Sequence, residues 1–274
     1  MHQTLEDFSG QNLSGLNFAE IPIPIDPHGY TTVDYHDIPI DFNSPEYNEP
    51  LVNLGSLGIS VQSHYARQDK QNAPYYRSFE CASPDIYLRK SAAQLLLKAN
   101  ELLKHYGAEL HVYDGFRPMR MQQELFDYFC DLKKERDPES SEQDCIEFAQ
   151  IYCVNPSRFD PEDFRTWTLH GTGGAVDVAL RSTIDGQIFF FGSIFDDGSS
   201  LSHTIHFEQS KEENASAEEA RRNRRILYWA MLNSGFKNYS WEWWHYDYLN
   251  QMWALNSGKD VKAKYGMASV PDSK

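Results

Sequence analysis

Two short stretches hold side chains that could carry out hydrolytic chemistry together. SWEWWHYDY, residues 240–248, sets Glu242 and His245 three positions apart among Trp241, Trp243, Trp244 and Tyr246. WTLHGTGGAVDVAL, residues 167–180, sets His170 and Asp177 on either side of Gly171, Gly173 and Gly174. Zinc accepts imidazole nitrogen and carboxylate oxygen, and a catalytic zinc keeps three protein ligands and one open position. His170, Asp177 and His245 meet that count. Glu242 beside them is the candidate general base, because a metal brings the pKa of water down towards 7, within reach of a carboxylate. On spacing alone the pattern also fits coincidental polar and core residues, with the aromatic belt as packing.

Whether the four side chains meet depends on the elements that carry them. The glycines between His170 and Asp177 allow the backbone to turn so that both converge. NYSWEWWHYDY, residues 238–248, reads as a strand with alternating faces. An i, i+3 pair in an ideal strand points to opposite faces, so Glu242 or His245 must sit at a bend, bulge or strand end.

Upstream, AELHVYD over 108–114 reads as a strand, Asp114-Gly115 as a turn, and Pro118 as the first turn of a helix over 119–135. Asp114 and Arg117 then lie in a strand-to-helix loop, where a rigid scaffold commonly displays functional groups. The helical period after Pro84 predicts a helix from Ile86 to the Gly107 stop, capped by Ser83 or Asp85. Residues 137–164 form an acidic, proline-punctuated excursion with one helix in SEQDCIEFAQIYC. A buried strand over 175–180 and a hairpin around Asp185-Gly186 to QIFFF follow. A helix from Ser216 to Gly235 carries Arg221, Arg222, Arg224 and Arg225 as a solvated, salt-bridged face. The tail from Leu255 reads as an exposed end.

The fold class expected from this order is α+β, with a central, mostly antiparallel sheet and packed helices. Residues 1–50, with prolines at 22, 24, 27, 39, 45 and 50, read as an N-terminal arm packed on a single domain spanning 51–274. With 274 residues, 41% of them hydrophobic, the chain can bury a sizeable core. A net charge of -15 argues against a nucleic-acid partner. The four cysteines form no CxxC pattern and read as free thiols, with one disulfide among Cys130, Cys145 and Cys153 left open. No apolar run is long enough to span a membrane. MHQTLEDFSG lacks the basic and apolar regions of an export signal, which points to the cytoplasm, or to the periplasm if a leader has been removed.

The segments YDGFRPMR, LHGTGGAVDVAL, FFFGSIFD, RRNRRILYWAMLNSGF and YSWEWWHYDY, in this order, closely resemble the zinc D-alanyl-D-alanine dipeptidases of the vancomycin-resistance type. These are zinc peptidases of cell-wall peptides whose fold is shared with the Hedgehog signalling domain. The resemblance implies one zinc per chain on His170, Asp177 and His245, with Glu242 as catalytic base and Arg117 stabilising the oxyanion. It also implies that Asp114 orients that loop and that Tyr65, in a more divergent YARQDKQN segment, lines the substrate pocket. The implied substrate is a small D,D-dipeptide, and a homodimer is compatible with it. The residue before the first histidine, small in the family, is Leu169 here.

A dipeptidase must meet a free ammonium and a free carboxylate. Asp247 and Asp196 are candidates for the first, and Thr168, Thr172 or Arg67 for the second. A zinc D,D- or L,D-carboxypeptidase or endopeptidase acting on peptidoglycan stem peptides is the nearby alternative. A non-catalytic zinc-containing binding module is a third, against which the presence of both Glu242 and Arg117 argues.

Overall fold

From Leu51 the chain lays down β1 (Leu51–Asn53) and β2 (Ser60–Val61), and a long loop leads to β3 (Tyr87–Arg89), which pairs antiparallel with β1. The structure is a computed structural model describing residues 16–25 and 34–269. The rest of the arm (1–15 and 26–33) and the end of the tail (270–274) lie outside the described residues. Helix α1 (Lys90–Leu103) follows β3 directly and closes on Gly107, whose φ of 61° ends the turn. Its start is later than the periodicity predicts. Tyr87, Leu88 and Arg89 pair with Asn53, Val52 and Leu51, so Ile86 and Leu88 enter the core from extended backbone, and strand pairing overrides the helical pattern. Neither Ser83 nor Asp85 caps the helix, which has no side-chain cap.

Strand β4 (Ala108–Asp114) and helix α2 (Met119–Arg136) match the expected pair. Helix α3 (Glu142–Ala149) opens with a capping box between Ser141 and Asp144 and packs on α2. Strand β5 (Ala175–Ser182), short helix α4 (His206–Gln209), long helix α5 (Ala215–Ser234), strands β6 (Lys237–Asn238) and β7 (His245–Asp247), and helix α6 (Gln251–Leu255) complete the order. Asn214, not Ser216, caps α5, its side chain accepting from the Ala217 amide. QIFFF forms no strand. A single Arg181–Ile188 bridge follows the Gly186 turn before the chain leaves the sheet, and Phe191 then stacks on Trp243 at 4.0 Å.

The main sheet runs β2-β4-β5-β7-β6, with β2–β4 parallel and every other pair antiparallel, as the α+β reading expects. Leu110, Val112, Val176, Val178 and Leu180 join Leu96, Ala99, Leu227 and Met231 of α1 and α5 in one apolar core. Residues 16–25 add Phe18, Ala19 and Ile23 to that core.

Two surface readings change. Arg224 is not solvated: it is buried and donates to the carbonyls of Phe191 (2.8 Å), Leu201 (2.6 Å) and His203 (2.6 Å), tying the 191–203 loop to α5. The tail from Leu255 is no exposed end either. Ala263 and Tyr265 are fully buried, Arg89 donates to Gly266 O at 2.7 Å, and the Ala268 amide donates to Gly171 O. All four cysteines are free thiols.

Candidate active site

The sheet register assembles the site. Asp177 on β5 pairs with His245 on β7 and with Asp114 on β4, so three ionisable side chains sit abreast on neighbouring strands. Directly opposed residues project to the same face with Cβ atoms about 5 Å apart. A bulge between Val112 and Asp114 makes this row possible: it brings Asp114, rather than Tyr113, opposite Asp177. His170 arrives from one 3-10 turn ahead of β5. Gly173, at φ 72°, reverses that turn, and Gly174 lies so near Tyr248 O that a Cβ would stand 2.5 Å away.

The Glu242–His245 segment is not one strand. β6 ends at Asn238, residues 239–244 turn, and β7 begins at His245. The Glu242 amide donates to Tyr239 O and the His245 amide to Glu242 O, so the required bend lies between the two residues and both face the same space. Asn238 Nδ2 donates to the carbonyls of Glu242 (3.1 Å) and His245 (3.0 Å), which pins the turn.

Among the described residues, the ligand atoms of His170, Asp177 and His245 all lie within 4.8 Å of one another. Hydrogen bonds on the far side of each ring set the tautomers. His170 Nδ1 donates to Gly115 O at 2.8 Å, leaving Nε2 as an acceptor 3.5 Å from Asp177 Oδ2. His245 Nε2 donates to Asp247 Oδ1 at 3.2 Å, leaving Nδ1 facing Asp177 Oδ1 at 3.1 Å and Glu242 Oε2 at 3.7 Å. Asp177 Oδ1 is buried with no hydrogen bond of usable geometry. Two imidazole nitrogens around one buried, unsatisfied carboxylate oxygen fit a divalent cation, and this N, N, O set suits zinc.

Burial and neighbouring charges set the charge state of each group. Burial pushes the His170 imidazole down to about 3, although Asp177 opposes it, so the ring is neutral and its lone pair available. Burial alone would also lower His245, but Asp247 and Asp177 outweigh it and hold the metal-free ring protonated well above its ordinary range. A metal displaces that proton, so its binding releases one. Burial pushes Glu242 up to about 8 against His245 and Arg117, while Asp177 and Asp196 add to the rise.

Arg117 is fixed from three sides. Its Nε donates to Asp114 Oδ2 at 2.8 Å, Nη1 to Gln122 Oε1 at 3.1 Å and Nη2 to Tyr65 OH at 3.2 Å. Nη2 stands 3.9 Å from Asp177 Oδ2, which places the guanidinium beside the ligand cluster. Tyr65 OH donates to Asp196 Oδ2 at 2.8 Å, and Tyr75 OH donates to the same oxygen at 3.0 Å. Asp196 has a left-handed backbone (φ 57°), unusual for a residue with a side chain. Burial, then Asp177, raises its carboxyl to about 7, with the two phenols and Arg117 opposing.

A cavity of about 250 Å³ contains this group, lined by Glu242, Arg117, Asp196, Thr168, Tyr65 and the three ligands among others. Of the candidates read from sequence, Asp247 does not face it; Asp247 is fully buried behind His245, held by Asn250 Nδ2 at 2.6 Å, and positions the ring. Thr172 spends its hydroxyl within the turn, donating to Leu169 O and accepting from the Gly174 amide. Arg67 pairs with Asp69 at 2.7 Å, away from the cavity. Sequence reasoning missed Tyr75, Gln122, Tyr239, Tyr152 and Tyr35, which also line it. Only Gln122, five positions after Arg117 on α2, carried a signal, since a polar residue on a buried helix face needs a partner.

An open mixed sheet bearing a buried His/Asp/His cluster with a glutamate beside it defines a zinc metallopeptidase active site. The comparisons place it more closely. Residues 60–262 match the D-ala-D-ala dipeptidase family of M15 peptidases, and the chain belongs to that family. The D-alanyl-D-alanine dipeptidase of Enterococcus faecalis is 33% identical over 197 residues, covering 71% of this chain and 88% of the relative. That of Enterococcus faecium is 32% identical over 157 residues, 56% of this chain and 69% of the relative. The Escherichia coli protein of the same name is 29% identical over 200 residues, 72% and 83% respectively. A solved structure of VanYB in complex with D-Alanine-D-Alanine is a distant likeness, at 17% identity and a TM-score of 0.39 over 71% of this chain and 87% of that one.

Proposed function

We propose that this protein hydrolyses the free dipeptide D-Ala-D-Ala to D-alanine, with one zinc ion per chain. The observation that carries the reading is the cavity itself. At about 250 Å³ it is smaller than the pockets that hold drug-sized ligands, and the Asp196 carboxyl, the Arg117 guanidinium and Glu242 converge on it. His170 Nε2, Asp177 and His245 Nδ1 would hold the zinc, which supplies a Lewis acid for the scissile carbonyl and acidifies water. Glu242 takes the proton from the attacking water and delivers it to the departing amine nitrogen as the C–N bond breaks. Arg117, immobilised by Asp114, Gln122 and Tyr65, presents positive charge to the carbonyl oxygen as it becomes negative.

Asp196, with both phenols on one oxygen, receives the substrate ammonium, and Thr168 at the cavity wall faces the free carboxylate. The relatives named D-alanyl-D-alanine dipeptidase support this choice of substrate. A second reading, trimming of peptidoglycan stem peptides, is favoured by one observation: a further cavity of about 450 Å³ adjoins the first beyond Asp196.

The test is direct. Zinc-loaded protein should contain one zinc by elemental analysis and release D-alanine from D-Ala-D-Ala. Glu242→Gln should keep the zinc and lose about 10³-fold in kcat. No D-alanine from the zinc-loaded enzyme, or full activity in Glu242→Gln, overturns the reading. Preference for an N-acylated stem peptide over the free dipeptide selects the second.

A further inference from the structure

The two cavities share Tyr75, Ile151, Tyr152, Asp196, Tyr239 and Glu242 as common wall. Tyr152 is the one aromatic side chain of that wall supplied by the 137–164 excursion, in the turn that follows α3. Its ring stacks on Phe129 of α2 with centroids 4.5 Å apart and planes 9° from parallel. It also packs against the backbone of Gly198, where an added Cβ would stand 2.4 Å from Tyr152 Cε1. Gly198 lies two residues beyond Asp196, in the loop that carries that carboxylate. One ring therefore spans the gap between the helical wall and the Asp196 loop, at the boundary of the two spaces.

The same turn is tied to the catalytic loop, because Gln122 donates to Val154 O at 2.9 Å while accepting from Arg117. The chain beyond Asp196 leads into the larger cavity, whose lining includes Ser199, His203 and Trp241. A substrate whose amino group is received at Asp196 ends there. A substrate extended by one residue at its amino end has to pass the Tyr152–Gly198 contact.

We infer that Tyr152, seated on Gly198, is the specificity-determining gate that confines the substrate to dipeptide length. The inference rests on the reading of Asp196 as the ammonium site. Without the ring, the small and large cavities become one cleft, open to peptides lengthened at the amino end. Gly198→Ala opens the same contact from the opposite side, since its Cβ must displace the ring, and Gly198 has no left-handed backbone that alanine would strain. Tyr152 is 38% exposed, so its removal leaves no deep core void.

The experiment compares kcat/KM for D-Ala-D-Ala and for Gly-D-Ala-D-Ala, both with a free amino group, using the full zinc-loaded chain. The wild type should favour the dipeptide by at least 100-fold. Tyr152→Ala and Gly198→Ala should each reduce that ratio at least tenfold, mainly through a lower KM for the tripeptide, and Tyr152→Phe should restore it. Calorimetric titration of both peptides into the Glu242→Gln background should give the same ordering without turnover. A ratio unmoved in both variants, or a wild type that takes both peptides equally, overturns the gate. If the wild type ignores D-Ala-D-Ala but cleaves another free dipeptide ahead of its glycyl-extended form, the substrate reading fails, and the gate stands or falls on the variants' ratio for that pair.

Discussion

Two histidines away from the ligand cluster show how burial sets the protein's pH limits. His64 and His111 are both buried, and loss of hydration lowers each imidazole to about 4. In the unfolded chain both bind protons near 6.5. Between those values the unfolded state carries more protons than the native state, so stability falls as pH drops from about 6.5 and levels off, for these two groups, below about 4. Each histidine accounts for a loss of up to about 3 kcal/mol over that window. The buried acids Glu242 and Asp196, raised to about 8 and about 7, shift stability the opposite way, so the histidine contribution is read as a difference between variants in thermal melts of the metal-free protein. As pH drops from about 6.5 to 4, the Tm of the wild type should fall relative to that of His111→Gln, and a constant difference would refute the assignment. The same physics separates His170 from His245 within the site: at His170 burial, helped by Arg117, outweighs the nearby Asp177 and the ring stays neutral, while at His245 the Asp247 and Asp177 carboxylates outweigh burial. Residue type alone could not show which nitrogen of either ring is free, because Gly115 O and Asp247 fix that from behind.

The bend between β6 and β7 converts an i, i+3 pair into neighbours. The sequence made the need for a bend legible but not its place, because tryptophan and tyrosine in this segment have the strand preference that the continuous-strand reading followed. What decides it is Asn238, whose side chain reaches back to the carbonyls of Glu242 and His245 and accepts from Thr204 Oγ1 at 2.7 Å. Asn238→Ala removes three hydrogen bonds from one turn. It should cost about 2 kcal/mol of stability and lower kcat at least tenfold while zinc content stays at one per chain, because the ligands His170 and Asp177 lie on other elements. A variant with wild-type kcat would show that the turn holds its shape without the clamp. The ligand elements themselves were readable. Glycines around His170 and the apolar run after Asp177 announced a turn and a strand, whereas the β4 bulge that brings Asp114 into the row follows from pairing and has no local signature.

At the scale of the whole molecule, the site is walled by segments that lie far apart in sequence. The family match begins at residue 60, yet Tyr35 lines the small cavity. Proline spacing made this segment legible as non-helical, but a tyrosine in an extended arm is indistinguishable by sequence from any other surface aromatic. Its destination is set by Gln251 at the start of α6. The buried Nε2 of Gln251 lies 3.2, 3.0 and 3.0 Å from the carbonyls of Tyr35, His36 and Ile38. Since α6 follows β7 after a short turn, the clamp fixes the arm relative to His245. Ile40 continues the contact by bridging to Ala263 and packing with Trp167, one residue before Thr168. Gln251→Ala deprives three carbonyls of their shared donor and releases the Tyr35 wall, without touching the ligands, Glu242 or Arg117. The expected result is a KM for D-Ala-D-Ala raised about tenfold with kcat lowered less than threefold, since binding is lost equally in ground and transition states. Limited proteolysis should meanwhile cut the arm between 34 and 50 faster than in the wild type. Equal proteolysis with unchanged KM would mean that packing around Ile40 and Trp167 holds the arm in place without the glutamine.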